Sequence, residues 1–159
     1  MLSFPESAHR SAWEAATKIL LIDDDAAVLE VMGLMLSSED HNVTMVSSAA
    51  EALALLEGKV SVDLVLTDLH MPDMDGWQLM RAIRARWPGI RVGIHSGSFG
   101  QVPNACEPPD LVLNKPVLMS DLREGIERLQ RKRPMEAFTT ARREPRPRPG
   151  SDVPSPGTS

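Results

Sequence analysis

Short apolar segments alternate with longer amphipathic ones through the middle of the chain, between residues 18 and 132. Four of the short segments are continuously apolar, which is typical of strands buried on both faces of a parallel sheet. These strands are predicted at residues 18–22, 63–67, 91–95 and 111–114. A fifth segment, residues 42–46, is more polar, and we therefore place it at an edge of the sheet.

The segments between these strands have the pattern of amphipathic helices. Ser48 and Glu51 form a capping-box pattern at the start of one of them. In the last one, Leu122, Ile126 and Leu129 recur at helical spacing. The predicted helices are residues 26–38, 49–57, 76–87 and 121–132. This order of strands and helices predicts an α/β fold with a doubly wound, five-stranded parallel sheet.

The connection between the fourth and fifth strands departs from the alternation of strands and helices. It contains Pro103, Pro108 and Pro109 together with two glycines. Because proline breaks the interior of a helix, we expect the fourth helix of a regular alternation, which would lie here, to be short or missing. The chain would then pass between the two strands as a loop or a single turn.

Composition separates this middle segment from the two ends of the chain. The sequence has 159 residues, 42% of them hydrophobic and 25% charged, which is ordinary for a soluble globular protein. Residues 133–159 are rich in proline and arginine and poor in apolar residues, so we expect a disordered tail. Residues 1–17 are expected to form a flexible N-terminal extension, which leaves residues 18–132 as one domain.

Charge and cysteine content restrict the class of protein further. Residues 18–130 contain 9 basic and 17 acidic residues, a net charge of −8, which would repel nucleic-acid phosphates. No apolar run approaches the roughly 20 residues of a membrane-spanning helix, and no signal peptide is recognisable. Cys106 is the only cysteine, so no internal disulfide can form. We therefore expect a cytoplasmic protein that binds neither membranes nor nucleic acids.

Polar residues follow four of the predicted strands at the point where each strand ends. Asp23 and Asp24 follow the first strand, Asp68 the third, Ser96 the fourth and Lys115 the fifth. The carboxyl ends of parallel strands meet at one edge of the sheet, where ligands bind. Crowded carboxylates favour a cation, and oxygen ligands suit Mg²⁺. A lysine beside the metal is expected if a phosphoryl group also binds, with Asp68 as its acceptor.

The motifs around these residues are recognisable together. They are Asp23-Asp24, the segment DLHMPDMDG that begins at Asp68, Ser96-Gly97 and Lys115-Pro116. Taken jointly, they resemble the receiver domain of two-component response regulators. The resemblance covers residues 18–132 in the family's order and near its usual spacing. It implies the flavodoxin-like receiver fold and a signalling switch, with no enzymatic activity beyond transfer of a phosphoryl group to and from itself.

The resemblance implies a role for each residue that would touch the phosphoryl group. Asp68 would accept that group, Ser96 would be the switch hydroxyl and Lys115 would bind the phosphoryl oxygens. The bond between Lys115 and Pro116 is expected to be cis, as is usual in the family and allowed by the weak trans preference of such bonds.

The metal implied by the resemblance is Mg²⁺. Asp24 would bind it directly, Asp23 mostly through water, and Asp68 and the backbone carbonyl of His70 would complete the protein ligands. The implied partners are a sensor histidine kinase or a histidine phosphotransfer protein, and a downstream protein target. Because no further domain follows residue 132, we expect a stand-alone receiver that signals by contact with other proteins.

Three other interpretations fit part of the pattern. A pseudo-receiver would use the same fold as a binding module without being phosphorylated. A haloacid-dehalogenase-like phosphatase would need Thr or Val two positions after Asp25, where Ala27 stands. A flavodoxin-like electron carrier would need a loop rich in Ser and Thr after the first strand, where aspartates stand instead.

Other polar residues near the strand ends are assigned structural roles. Asp25 is expected to cap the helix that begins at residue 26, since aspartate favours helix N-termini. The side chains of His70 and His95 are expected to be structural, because their sequence neighbours offer no further metal ligands.

Overall fold

The computed structural model describes residues 16–98, 100 and 107–140, with the side chains of the last eight residues left out. Five strands and four helices lie within these residues. In chain order they are β1 (Lys18–Ile22), α1 (Ala26–Ser38), β2 (Asn42–Val46), α2 (Ala49–Glu57), β3 (Leu64–Asp68), α3 (Gly76–Arg86), β4 (Arg91–Ser96), β5 (Leu111–Asn114) and α4 (Met119–Thr140). The predicted order of elements is confirmed.

The five strands form one parallel sheet in the order β2-β1-β3-β4-β5. The predicted doubly wound, flavodoxin-like receiver fold is therefore confirmed, and β2 lies at an edge as expected. Strands are added on opposite sides of β1, first β2 and then β3. Such a reversal opens a crevice at the carboxyl ends of the strands.

Apolar side chains are buried on both faces of the sheet, which explains the continuous apolar runs. Along β1, Leu20 and Ile22 belong to one buried cluster, and Ile19 and Leu21 belong to the other. The first cluster includes side chains of α2 and α3, and the second includes side chains of α1 and α4. Each fully buried leucine or isoleucine stabilises the fold by about 1.5–3 kcal/mol.

β5 is buried on one face only, which differs from the sequence-based expectation. Leu111 and Leu113 are buried under α4, whereas Val112 is 48% exposed. The described residues between β4 and β5, which are 97, 98, 100 and 107–110, form no helix that could cover Val112. Residues 99 and 101–106 of this connection lie outside the described residues, so the short or missing helix expected here stays a prediction.

Arg84 of α3 holds the end of this connection. Its guanidinium donates hydrogen bonds to the carbonyls of Glu107 at 3.1 Å and Pro108 at 2.8 Å. It also lies 3.5 Å from a carboxylate oxygen of Asp110, which in turn accepts a hydrogen bond from the backbone of Val92. Side-chain contacts thus fix the connection where it enters β5.

Element ends differ from the predictions by a few residues. β3 begins and ends one residue later than predicted, and β4 extends one residue further, which places Asp68 and Ser96 within the sheet. Of the predicted tail, residues 133–140 lie in α4, and 141–159 lie outside the described residues, as do 1–15 of the predicted extension. No helix in the described part of the chain is long and apolar enough to cross a membrane.

Candidate functional site

The carboxyl ends of the strands bring three of the predicted site residues into direct contact. The ammonium Nζ of Lys115, which follows β5, lies 3.0 Å from Oδ2 of Asp23 and 3.1 Å from Oδ1 of Asp68. Asp23 follows β1 and Asp68 ends β3. The side chain of Asp23 is fully buried, that of Asp68 is 8% exposed and that of Lys115 is 26% exposed. One cation therefore bridges two buried carboxylates.

The pKa of Lys115 responds to both its burial and its partners. Partial burial acts to lower this pKa, but the hydrogen bonds and charges of Asp23 and Asp68 outweigh burial, so the pKa is raised above its ordinary value of 10.5. The ammonium group is thus held in its charged form, which suits the binding of an anion at this edge.

A glycine lets α3 begin directly beside the end of β3. The backbone N–H of Gly76 donates to the carbonyl of Leu69 at 2.8 Å, and a Cβ on Gly76 would lie 2.7 Å from the carbonyl oxygen of Asp68. Asp75 and Gln78 form a reciprocal capping box at this helix start. The loop after Asp68 is therefore fixed by close backbone packing that excludes larger residues.

The three aspartates after β1 have different environments. Asp25 caps α1 as predicted, since its side chain accepts from the backbone N–H groups of Ala27 and Val28. Oδ1 of Asp23 accepts from the backbone N–H of Asp25 at 2.8 Å, which fixes the buried carboxylate. Asp24 is exposed to solvent. It does not belong to the group of closely spaced potential metal ligands among the described residues.

Ser96 is buried, and its hydroxyl is engaged by its own loop. The hydroxyl donates to the backbone carbonyl of Ser98 at 2.8 Å and accepts from the backbone N–H of Ser98 at 3.1 Å. Nε2 of His70, whose side chain is exposed, lies 2.9 Å from the same carbonyl oxygen. The loops after β3 and β4 are thus joined by a side-chain contact, which agrees with a structural role for His70.

His95, for which the sequence predicts a structural role, lies beside Asp23 in the structure. It is fully buried, and its Nδ1 lies 3.7 Å from Oδ2 of Asp23, too far for a hydrogen bond. Burial lowers the pKa of His95 from 6.5 to about 4, with Lys115 acting in the same direction and Asp23 and the Ile22 carbonyl opposing it. The sequence feature that points to this position is that His95 directly precedes Ser96 at the end of a buried strand.

Comparison with known proteins agrees with this arrangement. The family model of the response regulator receiver domain matches residues 19–127. The transcriptional regulatory protein GlrR of Escherichia coli (strain K12) is 42% identical over 87 residues, which are 55% of this chain and 19% of GlrR. The two-component response regulator ORR23 of Oryza sativa subsp. indica is 32% identical over 126 residues, 75% of this chain and 18% of ORR23.

Solved structures give the same result. The CheY-like receiver domain protein of Methanospirillum hungatei JF-1 superposes with a TM-score of 0.69 at 28% identity, over 77% of this chain and 99% of that one. A receiver domain protein of Clostridium thermocellum gives 0.66 at 30% identity, over 76% and 98%. The chain spans about a fifth of the length of its relatives GlrR and ORR23. It belongs to the response regulator receiver domain family of two-component systems.

Proposed function

We propose that this domain is a phosphorylation-dependent switch in which Asp68 accepts the phosphoryl group. The observation that carries the proposal is the contact of Lys115 with both Asp23 and Asp68 at the carboxyl edge of the sheet. A phosphoryl group on Asp68 would enter a place where a fixed positive charge already faces the carboxylate. Positioning and charge neutralisation are the main requirements of phosphoryl transfer.

The donor atoms at this edge fit Mg²⁺. Asp23 and Asp68 offer carboxylate oxygens within 4.8 Å of each other, and such hard oxygen donors are the ligands that Mg²⁺ prefers. We assign Asp23, Asp24 and Asp68 as its side-chain ligands, together with the backbone carbonyl of His70. When bound, Mg²⁺ would neutralise charge on the phosphoryl oxygens.

The transfer is a displacement at phosphorus. A carboxylate oxygen of Asp68 bonds to the phosphorus atom while the bond from phosphorus to the donor histidine nitrogen breaks, and the imidazole leaves with the electron pair. Lys115, whose Nζ lies 3.1 Å from Oδ1 of Asp68, would donate to a phosphoryl oxygen. The hydroxyl of Ser96 would leave the Ser98 carbonyl and donate to a second phosphoryl oxygen. This change of partner would couple phosphorylation of Asp68 to the conformation of the loop after β4.

The partners proposed for this switch are proteins. The phosphoryl donor would be a sensor histidine kinase or a histidine phosphotransfer protein, and the output would be contact with a downstream protein target. The net charge of −8 on residues 18–130 disfavours contact between the domain and nucleic acid. The cytoplasmic location and the stand-alone arrangement stay predictions, and GlrR is itself described as a transcriptional regulatory protein.

Labelling with acetyl phosphate tests the proposal. Intact-mass measurement of the wild type with Mg²⁺ should show one phosphoryl adduct that hydroxylamine removes. Asp68→Asn should show none, and excess EDTA should abolish the adduct in the wild type. Asp73→Asn is the matched control, because Asp73 is an exposed aspartate of the same loop, and it should be labelled like the wild type.

Two results would contradict the proposal. An adduct of similar yield in Asp68→Asn would place the acceptor elsewhere. Absence of any adduct in the folded wild type, with Mg²⁺ bound, would favour the alternative of a pseudo-receiver that acts as a binding module without phosphorylation.

A further inference from the structure

His95 is a buried polar side chain without a hydrogen-bond partner. Its exposure is 0%, and neither ring nitrogen makes a hydrogen bond of good geometry to a described residue, although the Ile22 carbonyl favours the protonated ring. An unsatisfied polar group in this position costs about 1–3 kcal/mol, and such groups are rare in folded proteins. An apolar side chain would fill the same space without that cost. A histidine at this position therefore indicates a role for its ring nitrogens.

The position of His95 is set by the sheet. Asp68 of β3 and His95 of β4 are register partners in the parallel ladder. Asp23, at the end of β1 on the other side of β3, brings its Oδ2 to 3.7 Å from Nδ1 of His95. One potential ligand atom from each of these three buried residues lies within 4.8 Å of the others. Two carboxylates and one imidazole therefore converge.

We propose that Asp23, Asp68 and His95 form a binding site for a transition-metal ion such as Zn²⁺ or Co²⁺. Imidazole nitrogen is a preferred ligand of these ions and a poor one for Mg²⁺, which takes oxygen. Two carboxylate oxygens and one nitrogen leave further positions to water, as in open zinc sites. The inference does not rest on phosphorylation of Asp68, because it concerns metal binding alone.

The site requires modest movement of its side chains. Bonds from Zn²⁺ to oxygen and nitrogen are about 2.0–2.2 Å, so the three ligand atoms would close in by about 1 Å. Lys115 would give up its contacts with the carboxylates, and its 26% exposed side chain leaves it a path to solvent. The divalent ion would then replace the single charge of the ammonium group between two carboxylates.

Occupation of this site has a consequence for the switch. The transition metal would use a carboxylate oxygen of Asp68 and one of Asp23, the same side chains that we assign to Mg²⁺ and the phosphoryl group. The two metals would therefore compete, and Zn²⁺ would hold Asp68 in a form that does not accept the phosphoryl group.

Calorimetric titration with Zn²⁺ and absorption spectroscopy with Co²⁺ test the site, each on the full chain. His95→Leu should lower the Zn²⁺ affinity at least about tenfold, equivalent to about 1.4 kcal/mol, and should reduce the visible absorption of bound Co²⁺. Its Mg²⁺ affinity should stay within about twofold of the wild type. His41→Gln is the matched control, because His41 directly precedes β2 at the opposite end of the strands, and it should bind Zn²⁺ like the wild type.

Equal Zn²⁺ affinity in the wild type and in folded His95→Leu would overturn the proposal. If His95→Leu does not fold, an experiment on the wild type alone tests the proposal. Long-range proton–nitrogen NMR spectra of the imidazoles should then show one ring nitrogen of His95 shifting on addition of Zn²⁺. A spectrum in which only the other histidines shift, or none does, would equally overturn it.

Discussion

Lys115 and Asp23 are 92 positions apart in the chain, yet the ammonium nitrogen lies 3.0 Å from Oδ2 of the carboxylate. Asp23 is fully buried, so its charge has little access to water. The positive charge of Lys115 compensates the negative charge of Asp23 and also that of Asp68. The contact that we propose as the binding point of a phosphoryl group therefore also compensates a buried charge.

Replacing Lys115 by Met should destabilise the domain by about 1–3 kcal/mol at neutral pH, because Oδ2 of the buried Asp23 carboxylate loses its hydrogen-bond donor and the neighbouring positive charge. Adding Asp23→Asn in the same chain should recover part of the loss. Urea unfolding of the single and double variants measures both effects. An unchanged midpoint in Lys115→Met would show that the contact contributes nothing to stability.

The same contact predicts the behaviour of the wild type at alkaline pH. The folded pKa of Lys115 is raised above 10.5, so its stabilising contribution is complete below that pH and is lost as the pH rises through the folded value. Lys115→Met should lack this part of the stability loss at alkaline pH. Melting temperatures of the two proteins, measured as a function of pH, test this.

Replacing Asp24 by Asn should lower Mg²⁺ affinity at least about tenfold, because Asp24 is assigned as a direct ligand. Since the carboxylate is exposed, the free energy of unfolding should change by no more than about 1 kcal/mol. Calorimetric titration and thermal melting measure the two quantities, with Asp73→Asn as the control. A loss of several kcal/mol would mean that Asp24 holds the fold together instead.

The burial of His95 predicts that the domain loses stability at acid pH in metal-free buffer. The unfolded chain binds a proton at His95 near pH 6.5, whereas burial lowers the folded pKa to about 4. The folded form therefore loses stability relative to the unfolded one as the pH falls from about 6.5 to 4, by about 3 kcal/mol. His95→Leu should remove this part of the acid dependence, and parallel curves for the two proteins would contradict the assignment.

Replacing Gly76 by Ala should destabilise the domain by about 1–3 kcal/mol, because the new Cβ would lie 2.7 Å from the backbone oxygen of Asp68. It should also shift the amide resonances of Asp68 and Leu69. Gly89→Ala is the matched control, since a Cβ there meets nothing within 4 Å, and it should be neutral or slightly stabilising. Equal effects of the two substitutions would show that the close approach is relieved at no cost.

The sequence by itself determined the order of elements. Alternation of continuous apolar runs with helical patterns is a local property, so β1, α1, β2 and α2 begin and end where the pattern predicts. The strand-end positions of Asp23, Asp68, Ser96 and Lys115 follow in turn, because parallel strands present their carboxyl ends at one edge. The capping role of Asp25 is equally local, and it is confirmed.

Only the tertiary structure decided how these residues differ from one another. Asp23 and Asp24 are adjacent in sequence, but the packing of β1 buries one and leaves the other exposed. His95 has no carboxylates beside it in the chain, and the register of β3 with β4 brings Asp68 next to it. Burial and register depend on contacts between distant segments, so the local pattern could not place His95 beside two carboxylates or predict an open face at Val112.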